Sequence, residues 1–198
     1  MPSTTAIPRH SSIPRHSSIP RHSFAEVAEL VGRRLPSGRD LDRSELHTAA
    51  TMLGEADALW RAAVLHDPES RQYTQLYRDP HLDVWLICWT NQQDTGFHDH
   101  DVSAGAVRIV EGELVEDQFG FRDGGFHQLS VTHRAGSTFD FDASHVHRLR
   151  HRDGLVATSL HVYSPALWRM GYYDPDDSGL LRRTSISYAE ETIEFAVA

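Results

Sequence analysis

The chain has 198 residues, 39% of them hydrophobic, and a formal charge of −9 from 19 basic and 28 acidic side chains. That is the length of one ordinary domain with enough apolar material for a core, and the acidic balance argues against nucleic acid or an anionic membrane as partner. No apolar run approaches the roughly 18 residues needed to cross a bilayer, and the start of the chain carries no signal-type apolar stretch, so a cytoplasmic location is expected.

The single cysteine, Cys88, rules out an intrachain disulfide and a cysteine-rich zinc site. Between Ile87 and Trp89 it reads as a buried thiol serving as a small hydrophobe. Fourteen histidines are the unusual feature. Three of them, His10, His16 and His22, belong to an Ile-Pro-Arg-His repeat with little to bury, which predicts a disordered leader over residues 1–22. Residues 23–198 are expected to form a single domain with a helical N-terminal part.

Ser23 followed by Glu26 has the spacing of a capping box, and Val27, Leu30 and Val31 give a short helix an apolar side before Pro36. Asp42 and Glu45 repeat the signal ahead of Leu46, Ala50, Leu53, Ala56, Trp60 and Val64. That spacing predicts a second helix of about five to six turns, ending before Asp67-Pro68.

From Arg71 onward the helical period disappears. Short strands are predicted over 73–77, 82–90, 104–110, 114–119, 125–132, 137–141, 145–149 and 155–163, many of them separated by glycine, aspartate or asparagine. So many closely spaced strands predict a mainly β fold, a closed or sandwich-like antiparallel barrel, since one sheet could not cover both its faces. Further strand is expected near 184–187 and 192–197, whereas Tyr172-Tyr173-Asp174-Pro175 reads as a turn or part of a pocket rim. No phosphate-cradling glycine loop, dinucleotide fingerprint or serine elbow is present. Trp85 and Trp89 read as strand core.

His98 and His100 stand two apart in Gly96-Phe-His-Asp-His-Asp, so on an extended backbone both imidazoles face one side. Asp99 and Asp101 then face away, as turn or supporting residues. A third imidazole is available from His145 or His147, which point the same way and which spacing alone leaves equivalent. Three neutral nitrogen ligands suit iron with open positions for sulfur and dioxygen, and equally zinc with a bound water, manganese or nickel. Ser159, His161 and Tyr163 alternate with Leu160 and Val162, which makes them either a hydrogen-bond relay beside the metal or the polar face of a half-exposed edge strand.

These residues resemble the cysteine dioxygenase family of cupin thiol dioxygenases over 73–165. Cys88-Trp89, His98-Asp-His100 and Val110-Glu-Gly112 are similar to its first cupin motif, and Gly136 with Val146-His147-Arg148 to its second. Ser159-Leu-His-Val-Tyr-Ser-Pro165 is similar to its most specific signature. The resemblance implies a jelly-roll-like cupin antiparallel β-barrel with N-terminal α-helices. It also implies Fe(II) on His98, His100 and His147, which favours His147 over His145 as the third ligand. The substrate would enter as a thiolate on iron beside dioxygen, both oxygen atoms ending on sulfur as a sulfinate. Tyr163, held by His161 and then Ser159, would be the catalytic relay.

The family's tyrosine–arginine pair in the substrate pocket is matched here by Tyr73 and Gln75. Gln75 stands where cysteine-specific members carry an arginine for the substrate carboxylate, and an uncharged amide forfeits about 1.5–3 kcal/mol of charge-assisted bonding. The chain therefore resembles most the glutamine-type bacterial 3-mercaptopropionate dioxygenases, with L-cysteine the next choice. Arg169 is a candidate for the missing charge. Gly105 stands where mammalian members have the cysteine that crosslinks to the relay tyrosine, so no thioether can form. The expected partners are a small-molecule thiol and dioxygen, with neither nucleic acid nor membrane, and the chain is expected as a monomer or weak homo-oligomer. The other readings are a cupin enzyme of another class, such as a metal-dependent isomerase, and a ligand-binding module without turnover.

Overall fold

A computed structural model describes residues 21–122, 125–175 and 181–187. The predicted leader at 1–22 therefore lies almost wholly outside the described residues, as does the expected strand at 192–197.

Two helices come first, α1 (Arg21–Arg34) and α2 (Arg43–Glu55). α1 is already helical at Arg21, so Ser23 lies inside its first turn and is not an N-cap. At α2 the capping box forms as its spacing predicts: Glu45 N donates to Asp42 Oδ1 at 2.9 Å, and Asp42 N donates to Glu45 Oε2 at 2.9 Å. Such a cap contributes about 1 kcal/mol.

α2 is shorter than its apolar spacing predicts. Its last turn lies against a neighbouring strand so closely that a β-carbon on Gly54 would stand 2.6 Å from Arg108 Cγ. The chain leaves the helix at Ala56, and Trp60 folds back so that its indole N–H donates to the Leu53 carbonyl at 3.2 Å. Trp60 therefore caps the helix end that its spacing predicts it to extend, and two 3-10 turns, Asp57–Leu59 and Arg61–Ala63, follow.

Eleven strands follow among the described residues: β1 (Gln72–Arg78), β2 (Asp83–Trp89), β3 (Phe97–Asp99), β4 (Ala104–Glu111), β5 (Glu113–Arg122), β6 (Gly125–Arg134), β7 (Thr138–Phe141), β8 (His147–Arg150), β9 (Ala157–Ser164), β10 (Arg169–Pro175) and β11 (Leu181–Ser187). They form two antiparallel sheets, ordered β1-β2-β9-β4-β7 and β11-β10-β3-β8-β5-β6. Neither sheet closes on itself, so the expected barrel is two facing open sheets. The stretch read as a turn at Tyr172-Tyr173 is part of β10, which pairs with β3 so that Tyr172 stands opposite His98.

The helices cover the outer face of the first sheet. Val27, Leu46 and Leu53 pack there with Leu76, Leu86, Leu160 and Val162, and Cys88 is buried among them, its thiol pushed up by desolvation. Fully burying one such leucine contributes about 1.5–3 kcal/mol. The opposite face, with Trp89, Val107, Ile109, Phe141 and Tyr163, packs against Leu114 and Leu149 of the second sheet. Because both its faces are covered, β9 is buried at every position. Alternation then sends Leu160 and Val162 to the helices and Ser159, His161 and Tyr163 between the sheets.

No helix among the described residues is long and apolar enough to cross a membrane.

Candidate metal centre

β3 carries His98 and is followed at once by His100, while β8 begins at His147, whose Cα pairs directly with that of His98. Ring centroids are 4.8 Å apart for His98–His100, 4.8 Å for His98–His147 and 5.2 Å for His100–His147. One nitrogen from each ring lies within 4.8 Å of the others. The relative exposures are 3%, 1% and 1%, so the cluster is shielded from bulk solvent.

The remaining nitrogens show which atoms are free. His98 Nδ1 donates to the Gly96 carbonyl at 3.0 Å, and His147 Nδ1 donates to Glu116 Oε1 at 2.8 Å, so Nε2 of each ring is unprotonated. Neither nitrogen of buried His100 has a hydrogen-bond partner among the described residues. A buried polar atom without a partner is costly unless a ligand satisfies it, and a cation among three nitrogens would do so. Burial, followed for His98 and His100 by repulsion between the clustered imidazoles, lowers all three pKa values. For His147, Glu116 opposes that shift without reversing it. Neutral imidazole is the form that binds a metal. The residues fit a single metal ion.

His145 takes a different place. Its Nε2 donates to Glu116 Oε1 at 2.9 Å, and its ring lies outside that of His147, at 4.8 Å. Glu116 itself, buried on β5, also accepts from His133 Nε2 at 3.0 Å and Gln118 Nε2 at 2.8 Å. Burial alone would raise the Glu116 pKa, but hydrogen bonds from His133, His145 and His147 hold the carboxyl well below the ordinary range. The anion thus fixes the tautomer and orientation of His147. Sequence reasoning passes over Glu116 because its meeting with His147 depends on the β5–β8 register, which no local spacing encodes.

Asp99 turns away from the cluster, as alternation requires. It accepts Arg183 Nε at 2.7 Å, Arg183 Nη2 at 2.8 Å and the Tyr173 hydroxyl at 2.6 Å, tying the β10–β11 hairpin to the strand bearing His98. Asp101 adopts a positive φ of 55° in the turn that follows.

Ser159, His161 and Tyr163 form a continuous chain of contacts. The Trp89 indole N–H, which can only donate, reaches Ser159 Oγ at 2.9 Å. Ser159 Oγ lies 2.8 Å from His161 Nε2 and His161 Nδ1 lies 3.2 Å from Tyr163 Oη, so in the tautomer with the ring proton on Nδ1 the serine donates to His161 and His161 donates to the tyrosine oxygen. This leaves the tyrosine proton free to donate into the space beside His100, whose ring centroid is 4.9 Å from that of Tyr163. Burial, then the nearby His147 and Arg71, lowers the His161 pKa to about 3. Burial, then Asp83 and Tyr73, raises that of Tyr163 well above an ordinary phenol. Both groups are neutral at physiological pH.

Gly105 pairs with Tyr163 across β4 and β9. A β-carbon there would stand 2.5 Å from the Phe141 ring and 3.0 Å from Tyr163 Cδ1, so the rings occupy the space that a side chain would need.

On β1, Tyr73 joins the core between the sheets, and its hydroxyl accepts from Arg71 Nε. Gln75 is engaged elsewhere, its Nε2 donating at 2.9 Å to Asp83, a fully buried carboxylate that Arg78 also holds. Arg169 is exposed at the start of β10, in register with Ser187. Arg71, two residues before Tyr73, lies instead against Tyr73 and Trp89. Strand alternation could have found it.

The sequence pattern of the family described as Cysteine dioxygenase type I matches residues 20–176. The chain belongs to that family. Its fold is accordingly cupin-like, and the centre is that of a metal-binding cupin oxidoreductase.

Among solved structures, the chain is similar to a protein of Thermus thermophilus at 19% identity and a TM-score of 0.46, over 54% of this chain and 93% of that one. It is also similar to a cupin superfamily protein of Desulfitobacterium hafniense at 10% identity and a TM-score of 0.42, over 51% and 83%. A Bacillus halodurans protein matches at 19% identity and a TM-score of 0.42, over 63% and 83%. The family assignment rests on residues 20–176 and not on these partial likenesses.

Proposed function

We propose that this protein is a mononuclear non-haem Fe(II) thiol dioxygenase that converts a small thiol carboxylate and dioxygen into the corresponding sulfinate. The observation that carries this reading is the pairing of three buried, neutral imidazoles with a buried relay that presents the Tyr163 hydroxyl beside His100. The reaction balances without a further reductant, since R–SH and O2 give R–SO2H, sulfur losing the four electrons that dioxygen gains.

His98, His100 and His147 would hold the iron, the first and last through Nε2. Iron(II) there would supply the electron-transfer chemistry that lets dioxygen react with a thiolate. Glu116 holds His147 in the ligating tautomer. Phe141, packed on the rings of His100 and His147, helps keep bulk water from the centre. Tyr163, with its proton free and its oxygen fixed by His161, donates a hydrogen bond to the reacting thiolate or oxygen. His161 and Ser159 are positioning residues, and Trp89 extends that line by one donor.

For the substrate, 3-mercaptopropionate is preferred over L-cysteine. Gln75 stands where cysteine-specific members of the family carry an arginine, which is the pattern of the glutamine-type members that use 3-mercaptopropionate, and its amide is held by Asp83. Metal analysis and oxygen uptake with 3-mercaptopropionate, L-cysteine and cysteamine test the reading. Fe(II)-dependent uptake with sulfinate as product is expected, and His98→Ala should lose bound iron and turnover together. An iron-loaded protein that consumes no oxygen with any of these thiols would remove the dioxygenase reading.

A further inference from the structure

Arg71 immediately precedes β1, two residues from Tyr73 and therefore on the same side of the chain. Its guanidinium carbon lies 4.9 Å from the centre of the Tyr73 ring and 4.8 Å from that of Trp89. Trp89 is the donor at the head of the Ser159–His161–Tyr163 chain, and its ring stacks with His161 at 6.5 Å. Arg71 thus stands at the aromatic wall of the proposed active site.

The surroundings of Arg71 are unusual for a part-buried arginine. Arg78, Arg148 and Arg150 each pair with a carboxylate, namely Asp83, Asp94 and Asp117. Among the described residues no carboxylate pairs with Arg71, and its Nε bond to Tyr73 Oη leaves both terminal nitrogens without a hydrogen-bond partner. Two aromatic faces hold the cation in place by cation–π attraction but satisfy none of those N–H groups. What remains is a preorganised, planar fork of donors, the shape that recognises a carboxylate bidentately.

We infer that Arg71 is the anchor for the substrate carboxylate, received by its two terminal nitrogens while the substrate sulfur faces His98, His100 and His147. This inference rests on the thiol dioxygenase reading and gives the missing charge to Arg71, whereas Arg169 is exposed and Gln75 is tied to Asp83. The site would select thiols bearing an anion and discriminate against neutral thiols of similar length.

The test uses the full chain loaded with Fe(II), titrated anaerobically with 3-mercaptopropionate and with neutral 2-mercaptoethanol, followed by oxygen-uptake kinetics. Arg71→Gln is expected to weaken 3-mercaptopropionate binding by about 10- to 150-fold, to raise KM far more than it lowers kcat, and to leave 2-mercaptoethanol within about twofold. Arg71→Lys, which keeps the charge but not the fork, should fall between the two. Equal losses for both thiols, or unchanged 3-mercaptopropionate affinity in Arg71→Gln, would overturn the assignment. So would loss of iron in both variants, which marks a structural role. If the wild-type protein consumes no oxygen with either thiol, the dioxygenase reading fails. The anaerobic titrations then still decide whether Arg71 binds the carboxylate.

Discussion

Replacing Glu116 by glutamine isolates the charge that orients His147 while keeping its shape. The carboxylate now receives four donors: His145 and His147 on Oε1, His133 and Gln118 on Oε2. In the variant the amide oxygen can still accept from His147 Nδ1, but the acceptor is neutral. A hydrogen bond to a charged group contributes about 1.5–3 kcal/mol against about 0.5–1.5 kcal/mol for a neutral one. The amide N–H2 would in addition face the donors of Gln118 and His133, forcing the second to change tautomer. Together these effects loosen the tautomer and ring angle of His147 and reduce the electron density that it offers a metal. Disturbing such an outer partner costs about 10- to 100-fold in metal affinity, or about 1.4–2.8 kcal/mol. A chelator competition measuring the Fe(II) or Zn(II) dissociation constant of wild type and Glu116→Gln reads this directly. If the variant kept its metal within about threefold of wild type while its melting temperature was unchanged, Glu116 would have no part in orienting the ligand.

Two further outcomes follow from burial. His98, His100 and His147 are held below the ordinary histidine range by burial, and His161 lies at about 3. In the unfolded chain each titrates near about 6.5. The unfolded state therefore binds more protons below about pH 6.5, and the metal-free protein should lose stability as pH falls, by up to about 1.4 kcal/mol per histidine per pH unit. Melting temperatures between about pH 7.5 and about pH 5.5 check this, and a flat profile would contradict neutral buried imidazoles. Gly105→Cys places a side chain against the Phe141 ring, with its β-carbon 2.5 Å away, and should destabilise the protein by about 1–3 kcal/mol in denaturant titration. An unchanged midpoint would mean that Phe141 moves aside at no cost.

The parts of the site legible in the sequence are those governed by the two-residue period of an extended chain. His98 and His100 share a face, Asp99 leaves it, and Ser159, His161 and Tyr163 stand together opposite Leu160 and Val162, because each relation spans only a few residues. The short capping box at Asp42 is local in the same sense. The extent of α2 is not legible there, because its end is set by contacts that spacing does not contain, Gly54 against Arg108 and Trp60 on the Leu53 carbonyl.

The sequence by itself determined the ligand types and the faces from which they project, since backbone stereochemistry alternates side chains wherever the strand is laid. Only the tertiary structure decided which distant groups meet. The β3–β8 pairing puts His147 opposite His98 and leaves His145 on Glu116. The packing of β1 against β2 sets Arg71 on Trp89, while Arg169 lies out in solvent. Register is a non-local property, established when two buried faces are matched, and a one-residue slip would turn every one of these side chains to the opposite side.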